Sequence, residues 1–402
     1  MNILPGELTD AIASKADKPV LKSLRQVSKS LAIASTRQLF SHIHVTGNSA
    51  SHNKFHAILA SPELSKHVTS VNLDTQYVIE ENSPDTQPGG HPSEEALGIL
   101  DAENNKRLQT FKKAISSIGG FPNLRKVAIT FDDRVYVDIG YYWRGEVPKE
   151  NVQFRTEVLT TLFASLRNVN ALYSLSFQKI QNLNDKTLTT SPDFLHTLGR
   201  ISELKMDIAT EDIEASPEAD LGIIELHDFF DELADVWLKP ACNNLTSLAL
   251  HCDKYWGYVP KADFRDLHFP KLKKLDLDNY TFSHEWQLGW LLSHGGTLEE
   301  LVLEDASIVS HIYGSGPKDE EGYPVIPSSA DFEESHSGHY SGKWHDFFSQ
   351  FEEQMPKLGM FEFASENWRG DASKPGSAPW ENTGSGDHRY MAFNRIIGPT
   401  PA

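Results

Sequence analysis

Cysteine is nearly absent from this chain: 402 residues contain two, Cys242 and Cys252. That excludes a disulfide framework and a Cys-rich zinc site, so both read as small apolar fillers. Long apolar runs are missing too, and no stretch approaches the roughly 18 to 20 residues that a bilayer-spanning helix needs. Met1-Asn2-Ile3-Leu4-Pro5-Gly6-Glu7 has neither a basic segment nor an apolar h-region, so no secretory signal is expected. The carboxyl end lacks a prenylation cysteine. Positive charge is scarce, with 37 Lys+Arg against 56 Asp+Glu and a formal charge of −19. A general nucleic-acid binder would want a basic face for the phosphates. These absences imply a soluble intracellular chain, cytoplasmic or nuclear, with neither membrane nor nucleic acid among its partners. What is present is an ordinary folded composition, 39% hydrophobic and 10% aromatic. In such a compartment the sequon Asn244-Leu245-Thr246 is plain strand-start sequence.

Catalytic signatures are also missing. His336, His339 and His345 lie near Glu333, Glu334 and Asp346, but zinc enzymes usually hold two histidines on a helix around a glutamate. Gly338, Ser341 and Gly342 disfavour a helix there, so the cluster reads as a solvated loop. No Gly-x-Ser-x-Gly elbow anchors a hydrolase triad. Gly314-Ser315-Gly316 lacks the Lys-Ser/Thr partner of a phosphate loop, and Arg369-Gly370-Asp371 is a three-residue coincidence. No catalytic residue, metal or cofactor is expected, and function must come from surfaces.

The charge is unevenly divided. Residues 1–45 hold six basic against three acidic side chains, a net of +3 that leaves −22 for the remainder. This segment reads as three short helices. Pro5 suits a first helical turn, and Leu8 and Ile12 make one apolar stripe. Asp17 can cap a second helix starting at Lys18-Pro19, with Leu21 and Leu24 as its buried face and Val27 closing it. Ser28 can cap a third, with Leu31, Ala34 and Leu39-Phe40. So small a bundle buries little surface and leaves an apolar stripe for a partner. Leu4-Pro5-Gly6-Glu7-Leu8, Ile12, Leu21-Lys22-Ser23-Leu24-Arg25-Gln26-Val27-Ser28-Lys29-Ser30-Leu31 and Leu39-Phe40 together resemble an F-box. The sequence departs from that family at Ala16, usually Leu, and at Leu31, often Trp. The resemblance implies docking on the Skp adaptor of a cullin-based (SCF) ubiquitin ligase. Its contacts would be Leu4, Pro5, Leu8, Ile12, Leu21, Leu24 and Val27. The alternative is a generic three-helix cap.

Beyond residue 45 the chain repeats itself. Apolar-x-x-apolar-x-apolar recurs eight times, starting at Val68, Leu124, Leu172, Ile201, Leu245, Leu272, Leu298 and Leu358. Alternation at the fourth and sixth positions is that of a half-buried strand, placing strands near 68–74, 124–130, 172–178, 201–207, 245–251, 272–278, 298–304 and 358–364. Helical patterns fall between them at 153–169, 221–239, 284–294 and 343–355. The arrangement resembles a leucine-rich-repeat solenoid, α/β in class, with parallel strands on the concave face and helices on the convex one. The array is irregular. Its starts are 56, 48, 29, 44, 27, 26 and 60 residues apart, and the family's ninth-position Asn or Cys is missing. Another open α/β sheet is the alternative. Residues 282–303 and 389–400 resemble segments common in F-box proteins of filamentous fungi; Trp286 and Trp290 there also fit simple helix packing. Residues 82–93, 209–220, 314–342 and 369–388 read as loops, and the organisation as a module over 1–45, an array over 46–365 and a partly flexible tail over 366–402.

The third, fifth and seventh positions of each strand face the concave side. In the first three repeats they are polar with little charge: Ser70, Asn72, Lys126, Thr130, Ser174, Ser176 and Gln178, with Asp74 the one acid. From the fourth on they include Glu203, Asp207, Asp276, Asp278, Glu300, Glu304 and Glu362, opposed by Lys205 and Lys274, a local −5. Such a face favours a basic target protein, although exposed strand charges also serve solubility. The expectation is a non-catalytic substrate receptor of a ubiquitin ligase that reaches a cullin through the adaptor. The alternative is a scaffold that binds without promoting ubiquitination.

Overall fold

The computed structural model describes residues 5–75, 94–132, 135, 150–210, 224–309, 311–315, 318–325 and 335–364. They form a mixed α/β protein with parallel strands, divided into two compact units: residues 1–179 with 190–197, and residues 180–189 with 198–402. No helix among the described residues is long and apolar enough to cross a membrane.

The first unit opens with three helices, α1 (Gly6–Ser14), α2 (Lys18–Leu24) and α3 (Lys29–Ser41). The caps follow the sequence: Asp17 accepts a 2.9 Å hydrogen bond from the Val20 amide, and Ser28 accepts one of 3.3 Å from the Leu31 amide. Each cap satisfies a backbone donor that the first turn would otherwise leave open. The interior is small, with Ala13, Leu21 and Ala34 at its centre and Ala16 and Leu39 packed against them. Arg37 reaches back from α3 to Asp10 at 2.8 Å.

The helices end at Ser41, short of the expected module boundary at residue 45. His42–Thr46 is already a strand, β1, because Ile43 and Val45 alternate with His42 and His44 at period two. β1 runs parallel to β2 (Ser70–Asp74), with Ile43 beside Val71 and Val45 beside Leu73. α4 (Ser49–Leu59) lies between them, and α5 (Glu94–Ser116), β3 (Lys126–Thr130), α6 (Val152–Leu166), β4 (Ser174–Gln181) and α7 (Pro192–Leu198) follow. β2, β3 and β4 are parallel and in register. Val71, Val127 and Leu175 form one buried row, and Leu73, Ile129 and Phe177 form the next. α6 buries Phe154, Val158, Leu162 and Phe163, and Phe163 stacks on Phe177 of β4 at 6.0 Å and meets Phe194 of α7 at 4.7 Å.

The second unit repeats the design. β5 (Glu203–Ala209) is followed by α8 (Ile224–Leu233), which loosens into a π-helical turn over Ala234–Leu238 before Pro240. β6 (Ser247–Cys252), β7 (Lys274–Asp278), α9 (Glu285–Leu292), β8 (Glu300–Glu304), α10 (Trp344–Gln354) and β9 (Met360–Ala364) complete it. β5 to β9 pair in sequence order and are all parallel. Leu204, Leu248, Leu275 and Leu301 align, as do Met206, Leu250, Leu277 and Leu303. Cys252 is fully buried among them, while Cys242 is half-buried.

The first apolar residue of each recurring pattern is not in its strand. Leu124, Leu172, Leu245 and Leu272 are buried and close a preceding turn through their own amides. The next two amides then share a single carbonyl of the neighbouring repeat: Thr246 and Ser247 on Ser202, Lys273 and Lys274 on Thr246, Glu299 and Glu300 on Lys273, Gly359 and Met360 on Glu299. The eight strands therefore begin two residues after the expected starts. Their far ends are alike too. Lys179, Asn279 and Asp305, each at the eighth position, adopt left-handed backbone with φ of 58°, 57° and 45°.

The segment read as a loop over 314–342 contains strand. His311–Ser315 pairs antiparallel with Ser335–His339, so His336 and His339 stand on a strand. Residues 82–93 and 369–388, the motif over 389–400 and Arg369-Gly370-Asp371 lie outside the described residues, as does most of 209–220.

Candidate functional site

Two surfaces carry the residues that the sequence singles out. The first belongs to α1–α3. Leu4 lies outside the described residues. Pro5 is exposed, Leu8 and Ile12 are about half exposed at 50% and 44%, and Val27 is exposed at 67%. Leu24 is partly buried. Leu21 is placed differently from the expected contact set: at 3% exposure it belongs to the interior with Ala13 and Ala34, so it supports the face from beneath. Sequence reasoning missed Val20 and Ile33, exposed at 46% and 61%. The helical spacing of Val20 from Leu24 was a usable signal, but which neighbour points inward depends on packing between helices. Leu8, Ala11, Ile12, Lys15, Ala16, Asp17 and Val20 line one open groove. Five of the ten large apolar side chains left exposed among the described residues fall between Leu8 and Ile33. That concentration leaves the three-helix module rich in exposed apolar side chains.

The second surface is the polar face of the strands in the second unit. The burial of β7 and β8 alternates as expected, with Asp276, Asp278, Glu300 and Glu304 on the polar side. Lys205 and Lys274 are exposed, and Glu203 and Asp207 are half-buried on β5. Glu362 is exposed on β9, beside Val302. Lys274 lies opposite Glu300 and binds it at 2.7 Å, which removes Glu300 from the free acidity. The negative charge therefore gathers toward the far ends of β7 and β8. There His251 Nε2 approaches Asp276 Oδ2 at 3.0 Å, while Asp276 Oδ1 has no hydrogen-bond partner among the described residues. Asp278 stands beside Glu304 in register. Burial pushes the Asp278 carboxyl up to about 6; His251 pulls it down, and Glu304, Asp305 and Asp276 add to the rise. Tyr255 is 53% exposed, and burial of its hydroxyl near Asp305 and Asp278 raises its pKa.

Side chains also satisfy backbone at the strand ends. Asn279 Nδ2 donates to the Cys252 carbonyl at 2.8 Å, and Thr75 Oγ1 donates to the Thr130 carbonyl at 3.0 Å, both from the eighth position. Asp253, at the ninth position, accepts from the Thr210 amide and hydroxyl. Backbone at the strand exits is thus satisfied by mixed residue types, which a search for Asn or Cys overlooks.

Among the described residues no group of His, Cys, Asp and Glu could hold a metal ion; His345 is exposed and pairs with the adjacent Asp346 at 3.0 Å. No family model matches the chain, and no curated protein matches it.

Proposed function

We propose that the chain is the target-recruiting subunit of an SCF-type ubiquitin ligase, non-catalytic itself. α1–α3 act as the F-box that docks on the Skp adaptor, and through it on a cullin. The parallel strands act as an irregular leucine-rich-repeat-like solenoid whose polar face holds the target. The observation that carries the reading is the apolar groove of Leu8, Ile12 and Val20, with Val27 and Ile33 also exposed, on a helical module with its own caps and small core. Burying five such side chains against a partner would contribute several kcal/mol at about 25 cal/mol per Å². Asp276, Asp278 and Glu304, with Glu203, Asp207, Glu300 and Glu362 around them, would favour a basic target segment. Catalysis is by proximity: the ligase gains effective concentration, and this chain makes no bond.

The test is immunoprecipitation of the natural chain and of a Leu4→Ala, Pro5→Ala, Leu8→Ala variant, probed for adaptor and cullin. The natural chain should recover both and the variant neither. Equal recovery by the variant would remove the F-box reading. Adaptor recovery without a change in the half-life of any captured protein would favour the scaffold reading.

A further inference from the structure

A turn over Asp319–Tyr323 is seated on the second unit in a way that resembles a bound ligand more than a connecting loop. Its shape is set internally. Asp319 Oδ1 accepts from the amides of Glu321 at 3.0 Å and Tyr323 at 2.9 Å, and the Asp319 amide donates to the Tyr323 carbonyl at 2.8 Å. Gly322, at φ +93°, permits the reversal. The turn's backbone-to-backbone hydrogen bonds close on the turn itself, and its attachment to the surrounding surface runs through five side chains, two of which reach its carbonyls.

Those five are Tyr258, Lys261, Arg265, His284 and Trp286. Tyr323 is 1% exposed and stacks on His284 at 4.2 Å, with Tyr258 at 5.7 Å and the Lys261 ammonium 4.4 Å from its ring centre. Trp286 Nε1 donates to the Tyr323 hydroxyl at 3.2 Å, and the Tyr258 hydroxyl donates to the Gly322 carbonyl at 3.3 Å. His284 Nε2 meets the Glu321 carbonyl at 2.9 Å. Lys261 pairs with Asp319 at 3.2 Å and Glu321 at 3.3 Å, and Arg265 grips the Glu321 carboxylate with both terminal nitrogens. Asp263 fixes the Arg265 guanidinium, which lies over Trp286 at 5.6 Å. A basic and aromatic seat thus holds an acidic turn by its tyrosine.

We propose that this seat is a recognition site for an acidic, tyrosine-bearing turn of a partner protein, and that the chain's own Asp319–Tyr323 turn occupies it as an autoinhibitory contact. The chemistry is complementary and specific: two cations for two carboxylates, a stacked pocket for one aromatic ring, and an indole N–H for its hydroxyl. A competing segment needs only the same preformed turn, because the seat reads side chains and two carbonyls. Ion pairs that are one-quarter to two-fifths exposed make the internal contact salt-sensitive. The seat belongs to the second unit, whereas α1–α3 belong to the first.

The test uses the full chain and a labelled peptide of residues Lys318–Val325, read by fluorescence anisotropy. A Glu321→Ala, Tyr323→Ala variant, with its internal turn weakened, should bind the peptide at least about tenfold more tightly than the natural chain. Adding Lys261→Glu should cost that variant at least about tenfold. Equal binding by the natural and opened chains, or binding indifferent to Lys261→Glu, overturns the proposal. Hydrogen exchange on the natural chain keeps the test open if the opened variant fails to fold. Raising salt from about 50 to 500 mM should speed exchange at the Gly322 and Tyr323 amides without affecting Phe269. Exchange of the turn only together with the Phe269 amide means it is part of the core, and the proposal fails.

Discussion

Asp278 and Glu304 stand opposite each other on adjacent parallel strands, both on the polar face. Neighbouring strands are about 4.8 Å apart, so the two carboxylates repel at close range. Burial and this repulsion hold the Asp278 pKa near 6, above its ordinary 3.8. An acid raised in the folded state costs stability once it ionises, so this site is less stable above pH 6 than below it.

Replacing Asp278 by Asn should therefore stabilise the protein at pH 7.5. The shift corresponds to about 3 kcal/mol at most, and partial solvent exposure reduces the expected gain to about 1 to 2 kcal/mol. The gain should fade between pH 6 and pH 4, where the natural side chain takes up its proton. Urea unfolding of both proteins across that range measures it. A loss of stability at pH 7.5 would show that Asp278 makes a needed contact.

His294 should give the opposite slope. It is 1% exposed, its Nε2 accepts from the Phe269 amide at 3.1 Å, and its Nδ1 donates to the Trp290 carbonyl at 2.9 Å. That arrangement requires a neutral ring, and burial pushes the pKa down to about 4. The unfolded chain takes up a proton near pH 6.5 and the folded chain does not. Stability contributed by this residue is thus lost as pH falls from about 6.5 to 4, by up to about 3 kcal/mol. His294→Gln should be less stable at pH 7.5 but should lack this component of the acid slope. Comparing the variant with the natural chain isolates it from the opposing slope of Asp278.

Glu150 and Arg155 form a buried pair in the first unit at 3.2 Å, with side chains 0% and 5% exposed. Glu150 also accepts from Thr75 Oγ1 and from the Asp132 amide, while Arg155 Nη1 donates to the Lys179 carbonyl at 2.9 Å. The pair therefore joins the ends of β2, β3 and β4. Glu150→Gln removes a buried carboxylate from beside the Arg155 guanidinium and should cost about 3 to 5 kcal/mol, read as a lowered urea midpoint. A cost below about 1 kcal/mol would mean that water enters and solvates Arg155.

Leu8 and Leu21 separate stability from docking. Leu21→Ala empties the small core between Ala13 and Ala34 and should destabilise the helical module by about 2 to 4 kcal/mol. Leu8→Ala removes a half-exposed side chain and should change stability by less than about 0.5 kcal/mol. Thermal melts followed by helical circular dichroism distinguish the two.

Much of this architecture is legible in the sequence because each strand repeats the same apolar spacing, and the rows Leu204–Leu248–Leu275–Leu301 follow from it. β1 escaped because His42-Ile43-His44-Val45 carries only two apolar residues and directly follows the Leu39-Phe40 end of α3. The division of Leu21 from Leu24 and Val20 depends on how three helices meet, which spacing along one helix does not fix. The acidic face was readable in sign. Its concentration at Asp276, Asp278 and Glu304 was hidden, since it depends on Lys274 pairing across strands with Glu300. The Asp319–Tyr323 turn was illegible for the same reason: Lys261 and Arg265 reach it from more than fifty positions away.

Calorimetric titration of the purified chain with a purified Skp-type adaptor tests adaptor docking most directly. The natural chain should bind with a dissociation constant of about 1 μM or tighter, and Leu8→Asp with Val27→Asp should abolish binding while helical content stays unchanged. Absence of binding by the natural chain, or undiminished binding by the folded variant, would contradict the proposal that α1–α3 are the docking module.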